Sequence, residues 1–387
     1  MKKGEKRPET LLVTSGRKPD ENHGIINPPV YHASTILHPT MKVLKEASQP
    51  YTYGRRRTPT IEALQEAMCE LEGGHGCVIT PSGLSAVSTA LLANLKAGDH
   101  LLVTDSVYGP SRTFCEQMLT RYGVEVEFYD PLIGADIGLL MKDNTAVVFT
   151  ETPGSQTFEV QDLPAISEAA HAKGAIVMLD NTWATPLFFD AFANGADISI
   201  QAATKYIVGH SDAMMGTITC NARTFKATLR GHGHLGVTAG PDDIYLALRG
   251  IRTMGVRLRQ HMETGIALAR WLEQRPEVKE VIHPALENHP GHAIWKRDFK
   301  GASGLFAAVL HPVPEKALAA MLDGLELFGM GYSWGGYESL IVPAEPHRSA
   351  TEWKEEGPLL RIHAGLEHID DLTADLDAGF ARLNKEK

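Results

Sequence analysis

The chain has 387 residues, a length typical of two or three domains at about 150 residues each. Its 47 acidic residues outnumber 37 basic ones, and the net charge of −10 argues against nucleic acid or an anionic membrane as the main partner. No run approaches the roughly 20 apolar residues of a membrane span, no secretion signal follows the basic start, and four scattered cysteines suit a reducing compartment, so we expect a cytoplasmic globular protein.

The first part of the chain predicts an extended arm. Residues 1–60 combine Pro, Gly, Asn and short polar stretches with little sustained periodicity. Such a segment is typical of an arm with short helices that packs on a neighbouring subunit. We therefore expect an arm at 1–60, a large domain at 61–245 and a smaller domain at 246–387.

The middle of the chain alternates short apolar runs with helical patterns. The predicted strands are 77–80, 100–104, 124–129, 146–150, 175–179 and 198–200. The predicted helices between them include 84–95, 109–122 and 163–173, the last with Asp162 as N-cap and Gly174 as C-cap. Apolar strands that alternate with helices predict a mostly parallel sheet between helices, and hence an α/β fold.

The C-terminal part predicts a smaller α/β domain. A long helix at 246–273 is followed by Pro276 and a strand at 278–282. The remaining predicted elements are strands at 305–310, 326–330 and 359–363 and helices at 315–322 and 370–383.

Several chemically distinctive residues follow predicted strands, where parallel sheets bind their ligands. Pro81-Ser82-Gly83-Leu84-Ser85 opens a helix whose N–H groups suit a phosphate, and Tyr108, Asp180 and Lys205 follow three other strands. Taken singly, these are a common turn, a loop aromatic, a helix cap and a solvated lysine. As a group they match the needs of pyridoxal phosphate (PLP): an anion cradle, a stacked ring, an acid for the pyridinium nitrogen and an amine for the aldehyde.

Seven longer motifs occur along the chain: Tyr51-Thr-Tyr-Gly-Arg-Arg, Cys69-Glu-Leu-Glu-Gly-Gly, Asp130-Pro-Leu-Ile-Gly-Ala-Asp-Ile, Asp180-Asn-Thr-Trp, Gln201-Ala-Ala-Thr-Lys-Tyr-Ile-Val-Gly-His-Ser-Asp, Tyr332-Ser-Trp-Gly-Gly-Tyr-Glu-Ser-Leu and Arg361-Ile-His-Ala-Gly-Leu-Glu. With these motifs the chain resembles the cysteine/methionine-metabolism family of PLP enzymes, of fold type I. The resemblance covers nearly everything after residue 50. It implies a large PLP-binding domain, a smaller C-terminal domain and a homotetramer built from dimers that share active sites.

The resemblance also implies roles for cofactor-binding residues. Lys205 forms the Schiff base with PLP and acts in catalysis, Asp180 pairs with the pyridinium nitrogen, and Tyr108 stacks on the ring and assists catalysis. The phosphate is expected on the N–H groups of Gly83 and Leu84, on Thr204, and on Tyr53 and Arg55 of the adjacent subunit. The alternative for Arg55-Arg56-Arg57 is a solvated basic stretch.

Substrate binding is implied for Arg361, Ser333, Trp334 and Tyr53. Arg361 corresponds to the arginine that holds the substrate α-carboxylate, although an arginine on a strand is more often part of a surface ion pair. No metal site is expected. Gly231-His232-Gly233-His234 is a weak metal signal, and we interpret it as a mobile loop near the entrance.

Three departures from the family pattern favour its β-lyase branch. Ala202 stands where a Ser is frequent, Ser155 where the γ-type branches have Asn, and Tyr332-Ser-Trp334 where they have Glu-Ser-Leu. The expected reaction is a β-elimination on L-cystathionine that gives homocysteine, pyruvate and ammonia. The alternatives are a γ-lyase or γ-synthase of the same family, or a binding protein that has lost catalysis.

Overall fold

The computed structural model describes residues 6–386, so residues 1–5 of the predicted arm lie outside it. Its strands form a seven-stranded and a four-stranded sheet. They are β1 Gly76–Thr80, β2 His100–Thr104, β3 Glu125–Tyr129, β4 Thr145–Glu151, β5 Ile176–Asp180, β6 Ile198–Gln201, β7 Gly216–Cys220, β8 Val278–Ile282, β9 Leu305–Leu310, β10 Leu340–Ala344 and β11 Leu359–His363.

Helices cover both faces of the large sheet and flank the small one. They are α1 Pro8–Thr14, α2 Met41–Glu46, α3 Pro59–Glu72, α4 Gly83–Asn94, α5 Gly109–Phe114, α6 Leu163–Ala172, α7 Thr185–Phe188, α8 Phe225–Leu235, α9 Pro241–Leu272, α10 His292–Asp298, α11 Glu315–Leu322 and α12 Ile369–Lys385. Among the described residues, none of these helices is both long and apolar enough to cross a membrane.

The large sheet has the order β1-β7-β6-β5-β4-β2-β3. Every neighbouring pair in it is parallel except the two that β7 makes, so the sheet is mostly parallel, as the sequence predicts. Glu151 is the register partner of Asp180, which in turn pairs with Ile200. The ends of β4, β5 and β6 therefore lie side by side, and the loops that follow them meet at one edge.

Apolar side chains on the two faces of the large sheet enter different cores. On one face, Leu101 and Phe149 pack with Ala90 of α4. On the other face, Val148 and Leu179 pack with Ile166 of α6 and with residues of the small sheet, including Leu305. The small sheet, ordered β10-β11-β9-β8 and wholly antiparallel, packs its other face on α9, α11 and α12. Shared apolar packing thus fixes the small sheet against the large one.

Two sequence predictions about secondary structure are wrong, and one strand was missed. Residues 326–330 form no strand: Gly329 makes one isolated bridge to Leu340, and the Asp375 carboxylate accepts the backbone N–H groups of residues 326–328. The segment around His232 and His234 is the last turn of α8 rather than a loop. The strand β7 was missed, although its alternation of Thr with apolar residues is typical of a strand.

The predicted arm is only partly separate from the body of the protein. Helix α1 packs on α9, where the Arg252 guanidinium donates to the carbonyl oxygens of Leu12 and Ser15 at 2.8 and 2.9 Å. Beyond it, several large apolar side chains are exposed: Ile25, Ile26, Tyr31, Leu37, Met41 and Leu44. The role of this segment in a neighbouring subunit, and the domain boundaries at 60 and 245, stay predictions.

Candidate active site

A cavity of about 330 Å³ opens at the edge of the large sheet where β1, β4, β5 and β6 end. The predicted site residues that line it are Gly83, Leu84, Tyr108, Asp180, Thr204, Lys205, Ser333, Trp334 and Arg361. Tyr53 and Arg55 do not line it: Tyr53 bridges to Thr35, and the Arg55 guanidinium donates to the carbonyl of Gly233. Their expected place is in the site of a second copy, so it stays a prediction.

Lys205 lies in the turn after β6, on the floor of the cavity. Its Nζ donates to the Ser333 hydroxyl at 2.8 Å and lies 5.1 Å from the centre of the Trp334 ring. Burial, and secondarily the positive charge of Arg361, lowers the pKa of the amine to about 8. An appreciable fraction of Lys205 is therefore an uncharged nucleophile near neutral pH.

Asp180 ends β5 and is held by the residue two positions later. One carboxylate oxygen accepts the backbone N–H of Thr182 at 3.0 Å and the Thr182 hydroxyl at 2.5 Å. Burial raises the pKa of Asp180 above its ordinary value, and the bonds from Thr182 and the charge of Lys205 oppose this rise. A carboxylate with so few donors at a cavity wall is suited to a cationic partner.

Glu151 is a second carboxyl group in the cavity, and sequence reasoning gave it no role. It ends β4 beside Asp180, and its Oε2 accepts the backbone N–H of Tyr108 at 2.7 Å. Burial and the neighbouring charge of Asp180 raise its pKa well above the ordinary value. The strand-end position was the available signal, but only the register between β4 and β5 reveals that the two carboxyl groups are neighbours. Glu151 thus places the loop that carries Tyr108.

The start of α4 lies where the sequence predicts an anion cradle. Ser82 is the N-cap and its hydroxyl accepts the N–H of Ser85 at 3.1 Å, while the first N–H groups of any helix have no intrahelical acceptor. Gly83 and Leu84 bring such groups to the cavity wall. A Cβ on Gly83 would come within 2.5 Å of the Ala202 Cβ, so the turn after β6 requires glycine there. The Thr204 hydroxyl bonds to the backbone N–H and carbonyl of Met215, so its expected phosphate contact would compete with Met215.

Arg361 on β11 brings an uncompensated positive charge to the cavity. Its guanidinium donates to the carbonyl oxygens of Gly331, Tyr332 and Ser333 at 3.2, 2.7 and 3.3 Å. Within the described chain no carboxylate lies within ion-pair distance of it, so the surface ion pair considered from the sequence does not form. A half-buried guanidinium without a carboxylate is suited to an anionic group of a ligand.

The remaining sequence candidates fall into two groups. Ala202 and Ser155, two of the departures from the family pattern, both line the cavity. The Nε2 of His232 bonds to the carbonyl oxygen of Ile79 at 2.8 Å and so is not available to bind a metal ion. No group of three or more His, Cys, Asp or Glu side chains in residues 6–386 is arranged to hold a metal ion.

These residues fit PLP in chemistry and in placement. The cavity presents an amine of lowered pKa, a carboxylate with few donors, two N–H groups at a helix start and an aromatic side chain at one strand edge. Such a set defines a class of enzyme, one that uses PLP on amino acids.

Comparison with known proteins agrees with that class. The family described as "Cys/Met metabolism PLP-dependent enzyme" matches residues 9–381. A putative cystathionine beta-lyase of Rhizobium johnstonii is 52% identical over 96% of this chain and 95% of its own. The cystathionine beta-lyase MetC of Escherichia coli K12 is 47% identical over 98% and 99%. The crystal structure of a cystathionine gamma synthase from Xanthomonas oryzae pv. oryzae in complex with cystathionine superposes with a TM-score of 0.91 at 32% identity, covering 99% of this chain and 100% of that one.

The chain therefore belongs to the Cys/Met metabolism family of PLP-dependent enzymes, and PLP is its cofactor. The fold and family expected from the sequence are confirmed.

Proposed function

We propose that this chain is a cystathionine β-lyase, which cleaves L-cystathionine into L-homocysteine, pyruvate and ammonia. The observation that carries the proposal is the high identity, over nearly the full length, to relatives with this name in three bacterial genera. The cavity supports it, since its free guanidinium and its amine of lowered pKa suit an α-amino acid.

Two residues would hold the amino acid at its α-carbon. The Arg361 guanidinium would bind the α-carboxylate, with the Ser333 hydroxyl beside it. Because Lys205 Nζ lies at hydrogen-bond distance from Ser333, its amine would be within reach of the Cα proton of an amino acid bound there. Lys205 would therefore act as the general base at Cα.

When bound, PLP supplies an electron sink for the pair left at Cα. Asp180 would keep the pyridinium nitrogen protonated, Gly83, Leu84 and Thr204 would hold the phosphate, and Tyr108 would stack on the ring. The Cβ–S bond then breaks, and Lys205 or Tyr108 would donate a proton to the leaving thiolate to give homocysteine. One water is consumed as the three-carbon fragment becomes pyruvate and ammonia, which balances the reaction.

Elimination at Cγ would require a different orientation of the substrate side chain. Trp334 lines the cavity and packs on Tyr206, with 5.6 Å between ring centres, so it forms a fixed wall beside Lys205. Tyr332 lies at the mouth and is 89% exposed. We propose that Trp334, more than Tyr332, favours cleavage at Cβ.

Product analysis with L-cystathionine tests the proposed function. We expect pyruvate and homocysteine in equal amounts. Formation of 2-oxobutyrate and cysteine would instead identify a γ-lyase, and the absence of any turnover by protein loaded with PLP would favour a binding protein. Replacing Trp334 and Tyr332 by Leu and Glu should raise the share of 2-oxobutyrate.

We further propose that the enzyme works in the cytoplasm as a homotetramer in which Tyr53 and Arg55 complete the adjacent site. Both residues lie outside the cavity of their own chain, and exposed apolar side chains precede them. Two inactive variants, Lys205→Ala and Arg55→Ala, should restore activity when co-expressed, because a mixed dimer then has one complete site; random pairing gives about a quarter of the native sites. No regained activity would contradict the sharing of sites.

A further inference from the structure

Residues 331–338, here called the covering segment, lie directly against Lys205. Ser333 accepts a hydrogen bond from its amine, and the Trp334 ring lies over it. Gly335 has φ +82°, and a Cβ there would come within 3.0 Å of the Lys205 Cα and Cβ. The covering segment therefore touches both the backbone and the amine of Lys205, and its position determines where Ser333 and Trp334 stand.

His363 holds the covering segment from β11. Its Nε2 accepts the backbone N–H of Gly335 at 3.1 Å, and its Nδ1 lies 3.1 Å from the carbonyl oxygen of Glu338. A carbonyl can only accept and an N–H can only donate, so the proton must be on Nδ1 and Nε2 must be bare. Only the neutral ring in this one tautomer makes both bonds.

The surroundings of His363 keep it in that state. It is 1% exposed, so water does not compete for either bond. Its ring centre lies 5.1 Å from that of His261 and 6.1 Å from that of Tyr206, and Arg361 lies two residues earlier on the same strand. Burial, then the charges of His261, Arg361 and Lys205, lowers the pKa of His363 well below its ordinary value.

Two side chains of β11 bind different parts of the covering segment. Arg361 donates to carbonyl groups of residues 331–333, and His363 bonds to Gly335 and Glu338. A substrate carboxylate at Arg361 would compete for the first set of bonds, whereas nothing in the cavity reaches the second set, because His363 does not line it. The second set therefore stays in place while a substrate binds.

We infer that His363 is a positioning residue, which fixes Trp334 and Ser333 against Lys205 through the backbone of Gly335 and so sets the fit of the substrate. This inference rests on the proposed function for its kinetic readout only. His363 touches neither substrate nor cofactor, and it acts through the covering segment.

Three substitutions separate the two bonds. His363→Gln places an amide near Nε2 and can accept from Gly335, His363→Asn places one near Nδ1 and can bond to Glu338, and His363→Phe keeps the ring but makes neither bond. His283→Phe is the matched control, since His283 is also fully buried and accepts a backbone N–H, but from Ala285 and not from the covering segment.

We expect His363→Phe to raise KM for cystathionine about tenfold, the effect of one or two lost hydrogen bonds, with kcat within about threefold of the native value. His363→Gln should recover most of the native KM, and His283→Phe should keep it. Acrylamide quenching of fluorescence reports the exposure of Trp334, once the signal of the same protein with Trp334→Phe has been subtracted. This quenching should increase in His363→Phe and stay native in His363→Gln. The same result is expected with and without PLP.

Equal quenching and equal KM in His363→Gln and His363→Phe would overturn the inference, as would a native KM in His363→Phe. If His363→Phe does not fold, the pair His363→Gln and His363→Asn decides in its place, with the native quenching expected only for Gln. If the native enzyme makes no pyruvate from cystathionine, the proposed function fails, but the quenching comparison still decides the role of His363.

Discussion

Two aspartates at the same edge of the large sheet differ sharply in their surroundings. Asp105 follows β2 and accepts bonds from the backbone N–H groups of Ser349, Ala350 and Thr351, as well as from the Arg112 guanidinium and two hydroxyl groups. Asp180 ends β5 and accepts bonds from Thr182 alone. These bonds lower the pKa of Asp105 to about 2 despite its burial, whereas burial raises the pKa of Asp180.

The difference separates a carboxylate used within the protein from one that is suited to a ligand. The acceptor capacity of Asp105 is used within the protein, where it ties the loop before Tyr108 to residues 349–351 of the C-terminal half. The carboxylate of Asp180 can accept further hydrogen bonds and faces a cavity, so it is suited to a partner that the chain itself does not supply. Both residues are aspartates at strand ends, and the number of hydrogen-bond donors around each carboxylate distinguishes them.

Replacing Asp180 should have the largest effect. Asp180→Asn keeps the shape but loses the charge expected to support the ring nitrogen of PLP, so we expect kcat to fall about 10³-fold, as for the loss of a major electrostatic contact. Asp180→Glu, which retains the charge, should recover part of the activity. A kcat for Asp180→Asn within tenfold of native would show that this carboxylate is not functional.

Replacing Asp105 should reduce stability rather than catalysis at Lys205. Asp105→Asn removes the buried charge partner of Arg112 and leaves it only the partly exposed Glu116, and we expect a loss of about 3 kcal/mol in the free energy of unfolding. The shift in the urea midpoint measures it, and Asp143→Asn, at an exposed turn, should change stability by less than about 0.5 kcal/mol. Equal midpoints for the two variants would contradict the role assigned to Asp105.

Acid should remove the contribution of Asp105 in a defined range. Its pKa is about 2 in the folded protein against 3.8 ordinarily, so the unfolded chain takes up the proton first as pH falls. The contribution, about 2 kcal/mol, is complete above pH ~5 and lost between pH ~4 and ~2. Unfolding free energies measured against pH should therefore bring the native protein and Asp105→Asn closer together toward pH 2, and a constant difference would oppose this.

Glu151→Gln should have the smallest effect. Burial and the neighbouring charge of Asp180 raise the pKa of Glu151, which favours its uncharged form, and the amide of Gln can still accept the backbone N–H of Tyr108. We expect kcat/KM within about threefold of the native value, a smaller change than the loss of one hydrogen bond would cause. Glu151→Ala, which leaves that N–H without its acceptor, should be worse. A loss in Glu151→Gln as large as in Asp180→Asn would mean that Glu151 is ionised and functional.

The sequence predicts those features that depend on local pattern. The strands at 100–104, 278–282, 305–310 and 359–363 have the predicted bounds. Two of them, 100–104 and 305–310, are fully buried and consist mainly of apolar residues. Gly83, Asp180 and Lys205 meet in one cavity because the ends of parallel strands share an edge.

The missed features depend on partners far away in the chain. The backbone donors to Asp105 lie some 244 residues later in the chain. The raised pKa of Glu151 depends on its burial and on the register that sets β4 beside β5 and Asp180. The role of His363 depends on a covering segment without regular structure, which has no periodicity to recognise. Local composition contains none of this information.

The most direct test of the central claim, that Lys205 holds the cofactor, is borohydride reduction of the enzyme loaded with PLP followed by peptide mass analysis. We expect the reduced cofactor on the peptide that contains Lys205, and no label after Lys205→Ala. A label on another lysine, or a Lys205→Ala protein that still makes pyruvate from cystathionine at the native rate, would contradict the claim.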